Sequence, residues 1–155
     1  MLERIFQTKT KSKTVKRRVS KSKTPKTLEW HTDYELTERV RSMIVDLDFK
    51  HIPKHRIFCF RTHGSKARAY ARTWAFPKIF QTVLDIEPAY VIEVISKYYD
   101  KLPYEEQSKV IIHELLHIPK NFSGSLLPHR NGHRGYQQEV DRFYKTLKAK
   151  HTQQA

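Results

Sequence analysis

Residues 7–27, QTKTKSKTVKRRVSKSKTPKT, contain only Gln, Lys, Arg, Ser, Thr, Val and Pro. A stretch of this kind cannot bury enough apolar surface to offset the entropy of ordering it. The first 27 residues are therefore expected to form a flexible basic arm. The fold must then be built from residues 28–150, with 151–155 as a short tail. That is one domain's worth of chain, and a composition 38% hydrophobic and 12% aromatic supplies a core of ordinary size.

The charge follows the same division. Of the net +14, residues 1–27 hold ten Lys and Arg against Glu3 alone, a net of +9, which leaves +5 for the other 128 residues. A cationic arm suits phosphate backbones, because each neutralised phosphate releases counterions without any reading of sequence. Lys9, Lys11, Lys13, Lys16, Arg17, Arg18, Lys21 and Lys23 are the candidate contacts to DNA or RNA. Nothing amphipathic in the arm favours a membrane surface. No run of about 18 apolar residues is present, so no spanning helix is expected. The opening residues turn basic after Phe6, so a secretory signal is not expected either, and the cytoplasm is the expected compartment. Cys59 is the only cysteine, which excludes an internal disulfide, a zinc ribbon and a CxxC redox pair. Any metal must be held by imidazole and carboxylate.

Within the folded part, Thr32 followed by Glu35 reads as a capping box. Leu36, Val40, Met43, Ile44 and Leu47 then recur on one helical face. Arg56–Arg61 reads as a strand, with turn residues beyond it at His63-Gly64-Ser65. Short apolar runs over Arg68–Phe76, Lys78–Leu84 and Ala89–Ile95, broken at Pro77 and Pro88, read as further strands of a small sheet. Tyr104–Ile118, entered after Pro103 and ended by Pro119, is a helix. Tyr136, Val140, Phe143, Tyr144 and Leu147 mark a closing amphipathic helix. The fold class is α+β, a small mixed sheet packed with helices.

The sharpest chemical signal lies in the Tyr104–Ile118 helix, as His113-Glu114-Leu115-Leu116-His117. A spacing of four residues turns about 400° around a helix, so both imidazoles project from one face and can hold one zinc ion. Glu114 is placed to take a proton from an attacking water. Catalytic zinc needs three protein ligands and an open position. His129 is the preferred third ligand, with His133 and Glu139 as alternatives. Tyr136, His133 and Arg134 are the candidate donors to a developing oxyanion, and Glu93 is a candidate support for the ligands. The longer pattern HExxHxxGxxH is absent and Met1 and Met43 are the only methionines, so a metzincin is not expected. A three-histidine nuclease would not need a glutamate beside its first ligand.

Val110-Ile-Ile-His-Glu-Leu-Leu-His-Ile-Pro-Lys-Asn-Phe-Ser-Gly124, followed by Leu127-Pro-His129, resembles the phage-type metallopeptidase family, a compact zincin-like group of viruses, archaea and bacteria, SprT-like in style. Ala71–Gln81 and Pro88–Ile95 extend the resemblance, which covers about residues 33–148. It implies zinc ligands at His113, His117 and His129 and an acid/base at Glu114, within a zincin-like fold. It also implies peptide-bond hydrolysis by a metal-activated water, and a source in a virus or mobile element. In zincin-like folds an edge strand beside the active-site helix holds the peptide extended, and Ala89–Ile95 is the expected strand. His133, an extra histidine in the same loop, keeps the third ligand open. Two other readings stand beside the peptidase: a nucleic-acid-binding protein with a structural or vestigial metal site, and a metal-dependent nuclease. Residues 49–84 hold no acid but interleave Lys50, Lys54, Arg56, Arg61, Lys66, Arg68, Arg72 and Lys78 with Phe58, Phe60, Tyr70 and Trp74. Such aromatic residues either stack bases or face the core while the basic ones face water.

Overall fold

Asp33 starts the first helix. Its carboxylate accepts the Leu36 N–H at 2.9 Å, so one orphan donor of α1, Tyr34–Asp46, is satisfied. The expected cap, Thr32, is instead the last residue of strand β1, Glu29–Thr32, which pairs antiparallel with β2, Ile57–His63. Asp caps as well as Thr, so the strand pairing keeps Thr32 and the helix begins one residue later. The computed structural model describes residues 27–129 and 132–154, except the side chains of His133 and Gln154. The candidate phosphate contacts Lys9, Lys11, Lys13, Lys16, Arg17, Arg18, Lys21 and Lys23 lie outside the described residues.

The remaining strands and α-helices are β3, Ala71–Ala75, α2, Lys78–Leu84, β4, Tyr90–Ile95, α3, Ser96–Tyr99, α4, Tyr104–Leu116, and α5, Gly132–Gln154, and a short 3-10 turn, Lys54–Arg56, leads into β2. The sheet order is β1-β2-β4-β3, with β2 parallel to β4 and both outer pairs antiparallel. This is an α+β domain. One core joins Val40, Met43 and Ile44 of α1, Ile111, Ile112 and Leu115 of α4, and Val140 and Leu147 of α5 to the inward residues of the strands. Those inward residues, Ile57, Cys59, Ala71, Tyr90, Ile92 and Val94, follow the alternation of a pleated sheet. The other face contributes nothing to the core cluster.

Two expectations change here, and one open alternative is decided. Lys78–Leu84 is a helix and not a strand: Pro77 supplies its N-cap and Asp85, at φ 50°, its left-handed C-cap. The side chain it buries is Gln81, while Ile79, Phe80, Val83 and Leu84 are exposed. Ala89–Ile95 does not give an edge strand, because β3 returns antiparallel along its far side and takes the edge. Phe58, Tyr70 and Trp74 do not face the core. They are 40%, 50% and 51% exposed.

Cys59 is fully buried in β2, and burial pushes its thiol up to about 12. Since the thiolate is the reactive form, Cys59 is expected to react with a maleimide roughly tenfold or more slowly in the folded chain than in urea. Mass spectrometry of the labelled protein checks this, and equal rates would contradict the burial.

Candidate metal centre

Helix α4 holds the centre because its periodicity divides the residues by face. Ile111, Ile112 and Leu115 enter the core, while His113 lies one turn from His117. His117 is the C-cap residue, yet its backbone stays right-handed helical at φ −72° and ψ −14°, so the turn continues through it. Pro119 then forces the chain out of the helix. Glu105 and Glu106 in the first turn complement the helix dipole.

The loop after α4 returns His129 to the same place. Leu127 is tied to His117 twice: its N–H donates to the His117 carbonyl at 2.8 Å, and its own carbonyl lies 2.6 Å from His117 Nδ1. Further back, the Tyr90 hydroxyl accepts the Gly124 N–H and donates to the Ser125 carbonyl, each at 2.9 Å. Gly124 is required there, since at φ 83° a Cβ would sit 2.5 Å from the Phe76 carbonyl. The loop is thus fixed against the sheet before it reaches His129.

His113, His117 and His129 bring one ring nitrogen each to within 4.8 Å of one another. The Nε2 atoms of His117 and His129 lie 3.4 and 3.0 Å from His113 Nε2. Tetrahedral ligands at the usual Zn–N length of about 2.0–2.1 Å stand about 3.3 Å apart. The donor set therefore fits a small divalent ion. The Leu127 carbonyl favours a proton on Nδ1 of His117, which leaves the Nε2 lone pair facing its partners. Tyr136 of α5 packs on all three rings, at centroid distances of 4.8, 5.4 and 4.7 Å, and its hydroxyl donates to the His113 carbonyl at 3.2 Å. Burial, reinforced by the charges of Glu114 and Glu139, raises the Tyr136 phenol far above neutrality and keeps it protonated.

Glu114 is only 7% exposed. Its Oε2 accepts the Thr73 hydroxyl at 2.8 Å. Burial raises its carboxyl above the usual range, and the Thr73 hydrogen bond and the nearby His117 offset only part of that. A cavity of about 320 Å³ beside His113 and Glu114 is lined also by Ala71, Val110 and Val140.

Among the described residues, the candidates divide clearly. His113, His117 and His129 come together, and Glu114 lines the same cavity as His113. Glu139 is exposed, stands outside the histidine group, and lies 3.6 Å from Arg142. Arg134 is exposed in the first turn of α5, and the His133 side chain lies outside the described residues. Glu93 does not support the ligands: it sits on the opposite face of the sheet, bonded to Thr62, Arg72 and Trp74. Thr73 is the residue that the sequence reading missed. Its signal is the alternation Ala71-Arg-Thr-Trp-Ala75, small residues on the side where α4 approaches and large ones on the other.

A family model described as "Putative phage metallopeptidase" matches residues 28–148. No curated protein and no solved structure is detectably similar to the chain.

Proposed function

The chain belongs to the phage metallopeptidase family across residues 28–148, and we propose that it is a zinc-dependent peptidase with ligands His113, His117 and His129 and general base Glu114. The observation that carries this reading is the convergence of three imidazole nitrogens, those of His113 and His117 coming from the same turn of chain as the buried Glu114 carboxylate and that of His129 from the loop behind it. Zinc held there would supply Lewis acidity, polarising a peptide carbonyl and bringing the pKa of water toward about 7. Imidazole ligands without thiolate suit zinc.

The protein's own groups do the rest. Glu114 takes a proton from the attacking water and delivers it to the leaving amine. Thr73 holds that carboxylate, and Tyr136, in contact with every ligand ring, is the donor we assign to the oxyanion, its hydroxyl turning to substrate from the His113 carbonyl that it meets at rest. An extended peptide adds to the free edge of β3, the strand that carries Thr73. The cationic arm, ten Lys and Arg in 27 residues, tethers the enzyme to nucleic acid through phosphates. No helix among the described residues is long and apolar enough to cross a membrane.

Elemental analysis of untagged protein, alongside a peptide-cleavage assay, tests the proposal. About one zinc per chain is expected, lost from His117→Ala and from His129→Ala and retained by His133→Ala. Chelation should stop cleavage and added zinc should restore it. Zinc lost equally from His133→Ala would indicate a closed structural site and overturn the open one.

A further inference from the structure

The sheet face turned away from the core carries a second surface, independent of the peptidase reading. Its register sets Trp30, Thr62 and Ile95 in one row, Phe60, Glu93 and Arg72 in the next, and Phe58, Val91 and Trp74 in the third. Trp30 is 58% exposed, Trp74 51% and Phe58 40%. Phe58 and Trp74 stand two strands apart, about 9.5 Å at the usual strand spacing. They are separate flat platforms and not one packed cluster.

The electrostatics of this face select its partner. Glu93 and Glu29 are the only acids in the four strands; Glu29 alternates with Trp30 and so points to the opposite side. Glu93 is 1% exposed and fully engaged, accepting from the Thr62 hydroxyl at 2.5 Å, the Trp74 indole N–H at 2.6 Å and Arg72 Nε at 2.8 Å. It fixes the Trp74 ring by its edge and leaves the ring's surface exposed, which lowers the entropy cost of binding. The Arg72 guanidinium lies 5.2 Å from the Trp74 ring. The connection from β2 to β3 adds Lys66 and Arg68, both exposed, and the arm of net +9 joins the chain next to β1.

We propose that this face binds single-stranded DNA, with bases stacked on the exposed rings of Trp30, Phe58 and Trp74 and the backbone drawn by Arg72 and the neighbouring cations. Exposed rings among cations, with no exposed carboxylate between them, match a strand whose bases are unpaired and whose backbone is anionic. A duplex hides its base faces. The polar groups at the centre of the face, Thr62 and Glu93, are bonded to each other, so no free group there reads a 2′-hydroxyl, and DNA is the polymer assigned. On the opposite side of β3, Thr73 reaches Glu114. A bound strand therefore leaves the metal centre accessible.

The chain has two tryptophans, Trp30 and Trp74, and both are on this face. Their fluorescence therefore separates stacking from phosphate contacts made by the arm. Full-length protein titrated with oligo(dT) of about 12 nucleotides should show saturable quenching, reduced in both Trp30→Phe and Trp74→Phe. Phe58→Ala, at an exposed position, should weaken single-strand binding about tenfold and leave duplex binding unchanged. Anisotropy-detected binding without quenching, or an unchanged affinity in Phe58→Ala, would overturn the proposal and leave the arm as the only contact. Tighter binding to oligo(rU) than to oligo(dT) would overturn the assignment to DNA. No binding of either oligomer would overturn it altogether.

Discussion

Glu114→Gln is expected to lower peptide hydrolysis by about 10²–10⁴-fold with the zinc content of the chain unchanged. The amide matches the carboxylate in shape and can still accept the Thr73 hydroxyl, and the ligands on either side of it stay where they are. What it loses is the ability to take a proton from water. Unchanged hydrolysis would place the base elsewhere and refute the mechanism proposed above. The same variant reports on stability. Burial raises the Glu114 carboxyl above its unfolded value. The folded state therefore holds its proton to higher pH than the unfolded state does, and native stability falls as pH rises from the ordinary carboxylate range through the raised value. Glutamine removes that loss. Thermal unfolding of the chelated protein should show the variant gaining on the native chain across that window, as a charge kept in a dry site for chemistry would require.

The parts of this molecule that were legible in its sequence are those where a helical period met clear stop signals. Pro103 and Pro119 bracket α4, and the apolar spacing of α1 and α5 survives in their buried residues. The approach of His113 and His117 follows from the four-residue spacing alone, whereas the loop behind them offered His129 and His133 alike, and it is His129 that the described residues bring to the pair. Helix α2 was not legible, because Ile79, Phe80 and Val83 have strand-favouring side chains. The determinant there is local: Pro77 and the left-handed Asp85 set the helix ends, and Gln81 is drawn inward by the Phe76 and Ser123 carbonyls. Strand β1 was hidden for a different reason. All four of its residues are exposed, so it has no hydrophobic alternation to read, and backbone pairing with β2 defines it. The aromatic residues near β2 and β3 carry no sign of which face they take, since one register step reverses the assignment.

Thr73→Val should lower the turnover number by about 10–100-fold with little change in KM, while Thr73→Ser restores most of it. Valine keeps the volume of threonine at this buried position and removes only the hydroxyl, so β3 and the peptide edge it offers remain in place. The hydroxyl lies 2.8 Å from Glu114 Oε2 and 3.1 Å from the Glu114 backbone carbonyl. Without it the buried carboxylate keeps, among the described residues, only the backbone hydrogen bond from Thr73 and is held less firmly where it meets the attacking water. In the mechanism we propose, Thr73 is thus a positioning residue that acts only through Glu114. A double-mutant cycle separates this from a general loss of stability. In the Glu114→Gln background there is no base to position, so adding Thr73→Val should cost almost nothing further in turnover. If the two losses instead multiply, Thr73 acts on the reaction by a route that does not pass through Glu114, and the link between the edge strand and the active-site helix is structural only.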